Sequence, residues 1–160
     1  MHPEELAKAV GHIPSGLFII SSNNGSSCDG YLASWVQQVS FNPLVIAFAI
    51  SESRPGYDVI KSGKPFSVNV VGDHNMNYLK HFWKGYSSED NPFSTNEIKH
   101  RILESGAPII EEAKSSIECE FVSSEKPGDH EIVFARVLGS YVHDEESKPK
   151  VHIRKSGLDY

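Results

Sequence analysis

The sequence predicts a mainly β domain, a small barrel of strands with a few short helices attached, and three stretches predict it. Leu44–Ile50 reads LVIAFAI, apolar at every position, as a strand covered on both faces does. SIECEFV alternates strictly, which sets Ile117, Cys119 and Phe121 inward and Glu118 and Glu120 outward. EIVFARVLGSYV is a third, longer extended stretch, with Gly139 marking a bend. Extended segments recur about every 10 residues, the rhythm of an all-β barrel.

The remaining elements follow in chain order. PEELAKAVGHI carries Leu6, Val10 and Ile13 at helical spacing, with Pro3, Glu4 and Glu5 suited to the electropositive first turn. GLFIISS reads as a strand and NNGSSCDG as a glycine-rich hairpin loop. Residues 32–41 read as one strand, closed by a turn at Asn42-Pro43. FSVNVV supplies another strand, residues 126–130 a turn, and VHIRK a closing strand. Helices are expected after Pro55, over 77–83 and over 96–103. No repeat, low-complexity tract or linker interrupts the chain, so residues 1–160 read as a single domain.

Composition narrows the function classes. Of the 160 residues, 39% are hydrophobic and 22% charged, the balance of a folded globular protein. The apolar run at 44–50 is far short of the roughly 20 residues a membrane-spanning helix needs, and no apolar signal core follows the N-terminus. A soluble, cytoplasmic protein is expected. The net charge is −6, from 15 basic and 21 acidic residues, with no basic stripe for nucleic acid. Cys28 and Cys119 form no CxxC and read as free thiols, Cys119 in the core and Cys28 in a polar loop.

Most familiar catalytic signatures are missing. No glycine pair is followed by Lys-Ser/Thr as in a nucleotide-binding P-loop, and no GxGxxG opens a helix after a strand. HExxH and GxSxG do not occur, the eight histidines are scattered, and no metal site is expected.

Two local features stand out. In LASWVQQVSF one strand face carries Ala33, Trp35, Val39 and Phe41, the other Ser34, Gln38 and Ser40. Hydroxyls and amides on one face suit a planar polar ligand, although an ordinary half-exposed strand has the same pattern. In SESRPGYDVI, Ser51, Ser53 and Arg54 precede Pro55 at an expected helix start. Two hydroxyls, a guanidinium and unpaired N–H groups make a phosphate site; a capped surface turn with a solvated arginine reads equally from those residues. Taken together, a ring groove and an anion site fit a mononucleotide, FMN rather than NAD as the resident ligand.

The runs DGYLASWVQQVSFNPLVIAFAI, SRPGYDVI, FSVNVV, LKHFWKGYSSEDNPF, GAPIIEEAKSSIECEF, GDHEIVFARVLG and VHIRKSGLDY resemble, in that order, the flavin reductase-like family. Within it, the similarity is to the flavin-reductase domain at the C-terminus of cyanobacterial flavodiiron proteins. The resemblance implies an FMN-binding split β-barrel that forms a homodimer with flavin near the subunit interface. It implies reduction by NADH or NADPH and electron delivery to free flavin, a partner oxygenase or an attached redox centre. By motif match, Ala33, Ser34, Trp35, Val36, Gln38, Val39 and Ser40 line the flavin. Ser51, Ser53 and Arg54 help hold the ribityl phosphate, and Phe82 and Lys84 reach toward the cofactor. His130 stands on the nicotinamide side as a positioning or hydrogen-bonding group. Trp35 and the pair Gln37-Gln38 stand where many free flavin reductases have small or hydroxyl residues. The expected function is an FMN-dependent, NAD(P)H-driven oxidoreductase. The alternative is an FMN-holding electron-transfer or interaction module without its own nicotinamide turnover. Trp83, Tyr86 and Phe93 are read as either interface aromatics or core anchors.

Overall fold

A computed structural model describes residues 2–159, with every side chain among them except that of Tyr78. The elements run α1 (Pro3–Gly11), β1 (Ser15–Gly16), β2 (Phe18–Asn23), β3 (Cys28–Ala33), β4 (Val36–Phe41), β5 (Leu44–Ile50) and α2 (Tyr57–Lys61). They continue β6 (Phe66–Val70), α3 (Met76–Trp83), β7 (His100–Ile102), β8 (Pro108–Ile110), β9 (Ser115–Glu125), β10 (Glu131–Val142) and β11 (Val151–His152). The protein is thus mainly β with three short helices.

Seven strands form one antiparallel sheet in the order β3-β2-β6-β9-β10-β5-β4. The two edge strands, β3 and β4, are consecutive in the chain and joined only by Ser34 and Trp35. Laid flat, seven strands would hold their edges roughly 29 Å apart at about 4.8 Å per strand. The three residue steps from Ala33 to Val36 span at most roughly 11 Å. The sheet therefore curls until its edges nearly meet, leaving a split whose floor is Ser34-Trp35. A bulge in β9 at Val122, opposite Phe134 and Ala135, and one in β10 just before Gly139, where a bend was expected, supply the local twist.

The alternation of β2 divides the interior in two. Ile20 packs inside the curl with Phe48, Phe66, Val68, Cys119 and Val133. Ile19 points to the other face, into a second core with Leu79, Phe82, Phe93, Ile98 and Ile110 under α3. Asn69 on β6 fastens the two layers. Its amide donates to Ile19 O and Ser21 Oγ, and its carbonyl oxygen accepts from Ile110 N and Ser116 Oγ, all within 2.9 Å. A buried amide satisfied at every position adds rigidity instead of cost.

Several sequence expectations change. The single strand over 32–41 is two, broken at Ser34-Trp35 because the chain there leaves one sheet edge for the other. Val39 and Phe41, placed with Ala33 on one strand face, are exposed, Phe41 to 90%, because β4 is an edge strand with a bulge between Gln38 and Ser40. The helix expected over 96–103 is a turn leading into β7; Asn96 takes a left-handed φ of 60°, and His100 to Ile102 pair with β8 instead. Cys28, read as a loop residue, opens β3 and is buried. Pro55 lies outside α2, whose N-cap is the left-handed Gly56, so no helix start supplies N–H groups beside Arg54. Phe93 is a core anchor. Tyr86 is partly buried, exchanging hydrogen bonds with the backbone of Gly30, while Trp83 is exposed.

Candidate functional site at the split of the sheet

Three cavities meet at Ser34. The largest is an open cleft of about 740 Å³, within the range of cofactor pockets. Its floor is the outer side of β4, β5 and β10, with Gln37, Ala47, Ala49 and Ile132, and Val36 lines it from the face that packs on the inner core. A second cavity of about 130 Å³ runs from Ser34 past Arg54 to Phe82 and His152. A third, of about 10 Å³, lies between Trp35, Ser51, Arg54 and His130, no larger than one water needs.

The outer wall of the cleft comes from the two ends of the chain. β1 pairs with β11, and Gly157 N donates to Ala7 O at 2.7 Å, which ties the last residues to α1. Gly11 permits that approach: a β-carbon there would stand 3.1 Å from Arg154 O. This clasp presents Ile13, Pro14, Lys150 and Arg154 to the cleft. Burial first, then Arg154 and Lys150, hold the partly buried His152 below the usual histidine range, and those two cations give the clasp positive charge in an acidic protein.

Trp35 stands in the middle of this arrangement. Its indole lines both the open cleft and the one-water cavity. The imidazole of His130 meets it edge-on at 5.1 Å, and the Arg154 guanidinium lies 5.2 Å from its centre in cation–π geometry. His130 Nδ1 is in turn 2.9 Å from the Asp129 carboxylate, which His130 holds below the usual carboxylate range. The backbone of Trp35 is anchored as well, its carbonyl accepting from Ala49 N at 3.0 Å.

The segment after β5 forms a turn in which Arg54 N donates to Ser51 O and the hydroxyls of Ser51 and Ser53 lie 3.0 Å apart. The Arg54 guanidinium is half-buried and has neither an ion pair nor a hydrogen bond among the described residues. The hydroxyl of Ser34, a residue only 9% exposed, likewise makes no hydrogen bond with them. A cation and a hydroxyl left without partners at one junction fit a ligand with an anionic tail.

Of the residues singled out from sequence, Ala33, Ser34, Trp35, Val36, Ser51, Arg54, His130 and Phe82 line these cavities. Phe82 does so from within the second core. Gln38, Val39, Ser40, Ser53 and Lys84 line none of them: the first three continue along the exposed edge strand, and Lys84 caps α3. Sequence reasoning missed Arg154, His152 and Ile13. His152 and Arg154 alternate in VHIRK, but neither a closing strand nor a match to the family's terminal motif assigns them a role at the site.

Comparison with known proteins decides the family. The model of the flavin reductase like domain matches residues 10–157. The chain belongs to the flavin reductase-like domain family. Among its relatives, the putative diflavin flavoprotein A 3 of Nostoc sp. is 36% identical over 157 residues, 98% of this chain. The match takes up 27% of that relative, so the chain spans about a quarter of the length of the curated relatives it matches. Flavin reductase PheA2 superimposes with a TM-score of 0.79 at 21% identity, covering 96% of this chain and 94% of the other. The NADH:FAD oxidoreductase SgcE6 of Streptomyces globisporus, in complex with NAD and FAD fragments, gives 0.80 at 20% identity, with 92% and 86% covered. The fold is the split barrel of the flavin reductases, with Ser34-Trp35 at the split. Among the described residues no helix is long and apolar enough to cross a membrane.

Proposed function

We propose that this chain is a single FMN-binding domain that works as an NAD(P)H-dependent flavin reductase in the cytoplasm. It would act as a homodimer and hand electrons to free flavin or a redox partner protein. The observation that carries this reading is the junction at Ser34, where an apolar cleft wide enough for a tricyclic ring adjoins an arginine with no partner among the described residues. A bound flavin would supply the two-electron acceptor for a hydride from the dihydronicotinamide, with a proton from solvent completing its reduction.

The chain's own groups have separable tasks. Arg54 binds the phosphate through charge-assisted hydrogen bonds, with the Ser51–Ser53 hydroxyl pair beside it. β4 is a sheet edge, and its outward N–H groups are donors for the ring and favour extra negative charge on it. Ser34 offers a hydroxyl where ring and tail meet. His130, steadied by Asp129, positions the nicotinamide and needs no proton transfer of its own.

Anaerobic mixing of the flavin-loaded protein with NADH or NADPH tests the proposal. An enzyme bleaches its flavin within seconds; a bound flavin that stays yellow rejects nicotinamide turnover. The second reading, an FMN-holding electron-transfer module, gains support from one feature, the indole of Trp35 lying against His130. The same mixing experiment separates the two.

A further inference from the structure

Trp35 engages His130, which positions the proposed hydride donor, and a cation at the mouth of the same cleft. His130 gives its edge to the indole, and Arg154, the cation nearest that ring on the clasp, spends its guanidinium over it. A nicotinamide dinucleotide brings the same pair of features, a planar aromatic ring and anionic phosphates. The indole also partitions the space, with the cleft of about 740 Å³ on one side and a cavity of about 10 Å³ beside Arg54 on the other. Trp35 is nevertheless 39% exposed and packs into neither core, so core packing does not lock its side chain in place.

We propose that Trp35 is a self-occluding ring: it lies in the slot of the nicotinamide, clamped by His130 and Arg154, and the dinucleotide binds only when it swings out. This inference rests on the flavin-reductase reading and adds its regulation. Arg154 is the latch. Incoming phosphates compete for its guanidinium and so loosen the cation–π contact that keeps the indole in place. The consequence is quantitative. When only a fraction of molecules has the slot open, the apparent dissociation constant of the dinucleotide rises by the reciprocal of that fraction. Removing the indole abolishes that penalty, whereas a smaller planar ring at the same position keeps most of it.

The test pairs two titrations on wild type, Trp35→Ala and Trp35→Phe. Flavin affinity is read from quenching of FMN fluorescence. Dinucleotide affinity is read from the NADH and NADPH concentrations that half-saturate the anaerobic bleaching rate. In Trp35→Ala the half-saturating dinucleotide concentration is expected to fall at least about tenfold while flavin affinity does not improve; Trp35→Phe stays within about threefold of wild type. If Trp35→Ala holds flavin but needs as much dinucleotide as wild type, or more, the occlusion proposal is wrong and the flavin site stands. If wild type binds no flavin at all, the functional reading falls and this inference with it.

Discussion

The two ends of the α2 turn treat charge in opposite ways. At one end Glu131 is buried, and its carboxylate accepts from Tyr57 and Lys61, with Lys61 also donating to Ser124 Oγ at 2.6 Å. Lys61 first, then Ser124 and Tyr57, lower the Glu131 pKa from 4.5 to about 2, and Glu131 in turn raises that of Tyr57 to about 12. At the other end Arg54 has no partner among the described residues, and Ser34 beside it has none either. The same short segment thus closes one charge cluster inside the protein and leaves another open at the split. The satisfied Glu131 cluster holds the fold, as Asn69 does. The unpartnered guanidinium of Arg54, which faces a cavity, is held ready for a ligand.

That contrast can be broken from either side. The largest effect belongs to the closed region: Phe66 is fully buried, edge-on to Phe48, and Phe66→Ala should cost roughly 3–5 kcal/mol in urea unfolding. A loss below 1 kcal/mol would show that the curl is not the stability-bearing core. In the open region, Arg54→Ala should weaken FMN by about 1.5–3 kcal/mol, roughly ten- to hundredfold in dissociation constant, with an unchanged unfolding midpoint. An unaltered FMN titration in that variant removes the phosphate assignment.

Acid separates the regions more gently. The native pKa of Glu131 is depressed, so its contribution to stability is full above about 4.5 and drains away as pH falls toward about 2. Wild type should therefore lose stability across that window more steeply than Glu131→Gln does; parallel pH profiles would refute the sign. The smallest effect is chemical. Cys119 is buried and its thiol is raised to about 12, while burial and then Asp29 raise Cys28. Native protein should release no fast-reacting thiol to a disulfide reagent, and denatured protein should release two.

Much of the fold was legible because burial writes itself into sequence. LVIAFAI, SIECEFV and EIVFARVLGSYV became β5, β9 and β10, since a strand covered on one or both faces must show it. The break at Ser34-Trp35 was not legible. Residues 32–41 contain no Gly, Pro, Asn or Asp to mark a break, and only the order of strands in the sheet shows that β3 and β4 lie on opposite edges. The helix expected over 96–103 failed for a related reason. Ile98 is buried in the second core from a turn, and pairing with β8 outweighs local helix preference. At the site, motif similarity marked Ser34, Trp35, Arg54 and His130, which the structure gathers around one junction. It did not assign a role to Arg154, because the contribution of β11 depends on chain ends meeting in space.

The central claim is that the junction at Ser34 binds a flavin by its ring and its phosphate. Titration of the purified, flavin-free protein with riboflavin, FMN and FAD, followed by flavin fluorescence and the visible spectrum, tests it most directly. The account predicts saturable binding of one FMN per chain, tighter than riboflavin because of the phosphate on Arg54. A protein that leaves all three spectra unchanged, or binds riboflavin as tightly as FMN, contradicts it.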